Sequence, residues 1–261
     1  MISLDYIRNF FPKQIGENPA FDKQMLKEYL QLLILDFISS SVFSTKIVFI
    51  GGTNLRLIKN IDRFSEDLDF DCKDLSSENF NILTDDVVRY LQNNGLNAVV
   101  KQKESDRITA FRRSIYFLEL LFDLQLSGYK EERLLVKIEA QDQKIEYKSI
   151  AVDVNRCGFF FPIRVPPNDI LCAMKISALL SRRKGRDFYD TMFLLSQVKP
   201  NLAFLKASNG IDSLACLKKA LLQVLTEVDL NVKKKDFEHL LFNVHSSEKI
   251  LRFKDFVNAE L

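Results

Sequence analysis

Residues 49–72, FIGGTNLRLIKNIDRFSEDLDFDC, decide how the rest of the chain is read. The run TKIVFI (45–50) is rich in β-branched and aromatic residues and predicts a buried strand ending at Gly51-Gly52. TNLRLIK predicts a helix with Thr53 near its start. DLDFDC then alternates strictly, sending Leu68, Phe70 and Cys72 to one face and Asp67, Asp69 and Asp71 to the other. Side chains at i and i+2 of a strand share a face at about 7 Å, so bare aspartates placed this way repel one another. A divalent cation removes that repulsion, and two-metal phosphoryl-transfer sites need shared carboxylate oxygens around ions about 3.5–4 Å apart.

The competing reading is an acidic, solvent-facing edge strand. What precedes the aspartates weighs against it. A strand, a Gly-Gly turn and a helix start leave backbone N–H groups unpaired, a natural seat for phosphate. Arg56 and Arg63 add positive charge within the same connection. A P-loop is excluded because no G-x-x-x-x-G-K-[ST] occurs, and a dinucleotide fingerprint fails for want of its third glycine.

Outward from this stretch, Leu26, Tyr29, Leu30, Leu33, Ile34 and Phe37 recur at helical spacing and predict an amphipathic helix over 22–38. Ser76 or Ser77 caps a helix running to about Asn93, stopped by Asn94-Gly95. Strand-like segments follow at 96–103, at 107–121 (two strands, broken near Arg112-Arg113) and at 133–140, with another possible at 150–154. FPIRVPPND (161–169) is a proline-rich break, with Asn168 or Asp169 capping a helix that begins ILCAMKISALLSRR. Helical patterns dominate from there. The expected fold is α+β: a small mixed sheet flanked by helices over 1–165, then a helical C-terminal domain over 166–261.

With 47% hydrophobic and 28% charged residues, the 261-residue chain has globular composition and enough length for a sizeable core. Cys72, Cys157, Cys172 and Cys216 form no C-x-x-C pair, and His239 and His245 are the only histidines, which excludes a structural zinc site and predicts reduced thiols in the cytoplasm. No signal peptide is expected, since Asp5 and Arg8 precede any long apolar run, and LQLLILDFI is too short to span a bilayer. The net charge of +2 selects for no class of partner. Basic clusters at Arg112-Arg113, Arg182–Arg186 and Lys233–Lys235 read as solvated faces.

GGTNLRL…RFSEDLDF resembles the first motif of the nucleotidyltransferase superfamily as carried by AbiEii/AbiGii-type toxins, relatives of the MenT toxins. LLVKIEA resembles that family's strand with a third acidic residue, and AMKISALLSRRKGRDFYD its helix with Lys followed by Arg-Asp-x-x-Asp. The similarity covers about 45–195, in order, and thins out in the C-terminal helices. It implies a nucleotidyltransferase-like sheet, and transfer of a nucleoside monophosphate from an NTP to an acceptor hydroxyl with release of pyrophosphate. It further implies Mg²⁺ (or Mn²⁺) as cofactor, RNA such as tRNA as acceptor, and a cognate antitoxin as partner in an abortive-infection system.

On spacing and motif together, Asp67 and Asp69 are the expected metal ligands, with Asp71 solvated or supporting. Glu139 is the expected third ligand on the acceptor side and helps deprotonate the attacking hydroxyl, with Asp153 its rival. Gly51, Gly52 and Thr53 cradle the triphosphate. Ser65 adds a hydrogen bond at the turn, Arg56 contributes charge, and Arg63 either contacts phosphate or pairs with an aspartate. Lys175 neutralises charge on the leaving pyrophosphate, and Arg182 lies on nearly the same helix face. Asp187 has a functional or a capping role, while Tyr189 and Asp190 are supports. A metal-dependent D-x-D glycosyltransferase and a retired fold that only binds RNA or a partner are the alternatives.

Overall fold

A computed structural model describes residues 2–100 and 110–261. The portions of the two predicted strands that fall on 101–109 lie outside the described residues. The chain divides into two compact units, one formed by 1–59, 64–144 and 150–165, the other by 60–63, 145–149 and 166–261.

The first unit contains α1 (Leu4–Arg8), α2 (Lys13–Gly16), α3 (Asp22–Ser40), β1 (Ile47–Ile50), α4 (Gly51–Leu57), β2 (Asp67–Cys72), α5 (Ser77–Asn93), β3 (Ala98–Val100), β4 (Phe111–Phe117), α6 (Leu120–Asp123), β5 (Leu134–Gln141), β6 (Ile150–Arg156) and β7 (Phe159–Val165). Five strands form a mixed sheet in the order β1-β2-β5-β4-β3, parallel only between β2 and β5. Leu68, Phe70, Ile115, Phe117, Val136 and Ile138 are buried on its packed face. Alternation thus makes one side of every central strand the core and leaves the other side to Asp67, Asp69, Lys137, Glu139 and Arg112. Ser76 caps α5 by accepting from the Asn79 N–H, and Gly95 (φ +79°) ends the turn after it.

Several sequence expectations shift. The helix α3 is buried on more than one stripe (Met25, Leu32, Leu35 and Ile38 beside Leu26, Leu30 and Ile34), because α1, α5, β5 and β7 all pack against it. The break expected at Arg112-Arg113 does not occur. Both arginines lie within β4, pointing to opposite faces, and each meets a carboxylate, Glu139 or Asp85. Residues 161–165 are the end of β7 rather than a break, with Phe161, Ile163 and Val165 buried. Pro162 is tolerated there because β6 and β7 form a separate two-stranded ribbon, where a missing N–H costs little.

The second unit contains α7 (Asn168–Arg182), α8 (Gly185–Leu195), α9 (Leu202–Asn209), α10 (Leu214–Val224), α11 (Leu230–Lys235) and α12 (Phe253–Glu260), with 3₁₀ turns between the last two. Pro167, not Asn168 or Asp169, holds the N-cap position of α7. Phe188 and Phe253 meet edge-on at 5.0 Å in the core. Gly185 lets α8 begin against α11, since a Cβ there would lie 1.9 Å from the Lys233 carbonyl oxygen. Among the described residues no helix is long and apolar enough to cross a membrane.

Candidate active site

The aspartate strand meets the glycine turn. β1 and β2 are antiparallel, with Ile50 opposite Asp69, so the residue that follows β1 lies beside that carboxylate. It is Gly51, at φ +83°, the first residue of α4. A Cβ on Gly51 would lie 2.1 Å from Asp69 Oδ2. Only a residue without a side chain lets the backbone approach the carboxylate this closely. The first turn of α4, Gly51-Gly52-Thr53, carries no side-chain cap. It starts at Gly51, two residues earlier than the sequence pattern suggests.

Across the sheet, Asp69 is in register with Glu139 on β5, and Glu139 with Arg112 on β4. The adjacent row holds Asp67, Lys137 and Ser114. Lys137 Nζ is 3.8 Å from Asp67 Oδ1. Burial pushes the Asp67 carboxyl pKa upward against the opposing charge of Lys137, and burial pushes the nearby Lys27 ammonium downward. Glu139 is gripped by Arg112, Nε to Oε1 at 2.7 Å and Nη2 to Oε2 at 3.2 Å. Among the described residues no group of three or more His, Cys, Asp and Glu side chains is gathered so as to hold a metal ion. Asp67 and Asp69 alone fit one end of a magnesium site: both are hard oxygen donors, and one of them borders a cradle that a Cβ would fill.

Neighbouring residues are engaged elsewhere. Thr53 is buried, and its hydroxyl donates to the Asp67 carbonyl at 2.5 Å, fastening α4 to β2 rather than facing a ligand. Arg56 is buried too, its guanidinium forked onto Glu28 at 2.7 and 3.1 Å. The Ser65 carbonyl is fixed by Gln31, while its half-buried hydroxyl has no partner among the described residues. Asp71 shares the face of Asp67 but is buried, not solvated, and accepts from the Gln143 N–H at 2.9 Å. Asp153 lies on the β6–β7 ribbon, outside this sheet.

The remaining motif residues belong to the second unit. Arg63 forks onto Asp190 at 2.8 and 2.7 Å, and Lys175 Nζ reaches the same carboxylate at 2.8 Å. All three are buried. Burial disfavours the Asp190 charge, but Arg63 and Lys175 outweigh it and its pKa is lowered. Lys175 is also lowered, by its own burial. The alternatives for Arg63 thus resolve to an aspartate partner. Asp187 is fully buried, accepts from the Lys184 N–H at the head of α8 and receives the Arg182 fork. Tyr189 donates to Asp62 at 2.6 Å.

Sequence reasoning missed Arg112, Glu28 and the tie that Asp190 makes. A charge inside the apolar run of α3 was the available signal for Glu28. Arg112 gave none, since its partner lies 27 positions away. The three buried cysteines stay protonated at neutral pH: burial pushes Cys72 up to about 11 and Cys157 and Cys172 up to about 12.

No curated protein matches the sequence. MenT4, a nucleotidyltransferase toxin from Mycobacterium tuberculosis H37Rv, shares the fold with a TM-score of 0.63 at 16% identity, over 99% of this chain and 90% of that one. JHP933 from Helicobacter pylori does so with a TM-score of 0.55 at 18% identity, over 91% of each chain. Residues 33–259 match the family described as "Nucleotidyl transferase AbiEii toxin, Type IV TA system". The chain belongs to that family and is a toxin nucleotidyltransferase.

Proposed function

We propose that the protein transfers a nucleoside monophosphate from an NTP to an RNA hydroxyl, with tRNA as the acceptor class, and acts as the toxin of an abortive-infection pair held in check by a cognate antitoxin in the cytoplasm. One observation carries this reading: the Asp69 carboxylate lies against the bare backbone of Gly51, with Asp67 two positions along the same face and Glu139 one strand away.

In this reading Asp67 and Asp69 hold Mg²⁺, which when bound neutralises triphosphate charge and polarises the α-phosphoryl group. Gly51 and Gly52 offer backbone N–H groups to the β- and γ-phosphates, and the free Ser65 hydroxyl is placed to add a donor. Glu139 stands on the acceptor side, where it receives the proton of the attacking hydroxyl once Arg112 yields an oxygen. Lys175, Arg182 and Asp187 order the helical unit; a direct role for Lys175 at the leaving group requires it to part from Asp190. Arg56 and Thr53 set the backbone that carries the glycines.

Incubation of the protein with each labelled NTP in turn, Mg²⁺ and unfractionated RNA tests the proposal. Label from one NTP is expected to enter RNA in the tRNA size range. Absence of label in every RNA species, with a folded protein, would falsify it.

A further inference from the structure

The register row through Asp69 and Glu139 continues to Arg112 on β4. The Arg112 side chain is 48% exposed, far more than Glu139 at 25%. One edge of its guanidinium is spent on Glu139, and it has no other partner among the described residues. β3 pairs only with residues 115–117, so no described strand covers the Arg112 end of β4. About half of the Arg112 side chain is thus exposed, while one edge of its guanidinium is held by the Glu139 carboxylate.

Resting on the transferase reading, the row also has a direction. Gly51 marks the triphosphate side, at β1 and β2. In-line displacement places the attacking hydroxyl opposite the leaving pyrophosphate, hence toward β5 and β4. With strands about 4.8 Å apart, Arg112 stands roughly 10 Å beyond Asp69 in that direction. An RNA end entering there brings negative charge toward Asp67, Asp69 and Glu139, which repel it. A guanidinium with a free edge is the side chain best shaped to hold a phosphate bidentately. We propose that Arg112, oriented by Glu139, binds the backbone phosphate next to the terminal hydroxyl of the acceptor RNA. An exposed ion pair serving stability alone is the ordinary alternative.

The test compares wild type, R112Q and R112K in two measurements. The first is binding of a short, 5′-fluorescein-labelled single-stranded RNA with a free 3′ hydroxyl, followed by anisotropy across a salt series. The second is steady-state transfer with NTP and RNA varied separately. R112Q is expected to weaken RNA binding about tenfold and to reduce the slope of log affinity against log salt by about 0.7, the loss of one phosphate contact on a single strand. Its KM for RNA rises in parallel while its KM for NTP stays within about twofold, because the lost contact is to the acceptor and not to the nucleotide. R112K restores the salt slope and part of the affinity. An unchanged RNA affinity and salt slope in R112Q overturns the assignment, as does an equal rise in the KM for NTP. A wild type that binds RNA but transfers no nucleotide overturns the transferase reading itself, and that result is read before any variant is compared.

Discussion

Asp69 and Asp190 both lie in motifs of this chain, and their surroundings are opposite. Asp69 is half-buried, lies against a glycine and belongs to a row whose cation, Arg112, is itself exposed. Asp190 is fully buried, and Arg63 and Lys175 between them engage both of its oxygens. A carboxylate that must take a ligand has to keep lone pairs within reach of solvent and hold its counter-ions loosely. A carboxylate that organises a core has to be saturated, because a buried charge left unpaired is costly. Substitutions at the two aspartates should therefore separate activity from stability.

The largest effect is expected at Asp69. Asp69→Asn keeps the shape against Gly51 and removes a charged ligand. Transfer should fall about a thousandfold, equivalent to ~4 kcal/mol of transition-state stabilisation, with the urea midpoint little changed. A large stability loss with activity retained would erase the contrast drawn above.

Asp190→Ala should do the reverse. It leaves Arg63 and Lys175 buried without their carboxylate and should cost about 3–5 kcal/mol in urea unfolding. The same residue sets an acid limb. Its folded pKa lies below the ordinary 3.8, so as pH falls the unfolded chain takes up the proton first. Its contribution is complete above that ordinary value and is lost as pH drops through the lowered one. In wild type, stability should therefore decline on acidification below pH about 4, and in Asp190→Asn that part of the decline should be missing. Parallel acid profiles for the two would show that Asp190 is not charged in the folded protein.

Much of the first unit was legible because alternation and turn chemistry are local. DLDFDC sets its own faces, Gly51 its own φ, and Ser76 its own cap, so β2 and α5 lie where the pattern puts them. What was illegible depends on partners distant in sequence. Arg56 looked free for phosphate because Glu28 lies 28 residues away, and Arg63 because Asp190 lies 127 away. Proline misled at Pro162, where the cost of a missing N–H depends on the sheet around it. Burial of Asp71 likewise depends on the chain returning at Gln143.

Thr53 sharpens the comparison at the smallest scale, since it lies in the glycine motif yet is bonded like a core residue. Its hydroxyl is buried and given to the Asp67 carbonyl. Thr53→Val keeps volume and branching while deleting that donor, so the expected cost is one net hydrogen bond, about 1 kcal/mol in urea unfolding. Because α4 remains packed on β2, the KM for NTP should stay within about twofold of wild type. If the KM rises tenfold while stability holds, the hydroxyl must leave Asp67 for the triphosphate when substrate binds. The division between saturated and available groups would then pass through the first turn of α4, with Thr53 changing sides during the catalytic cycle.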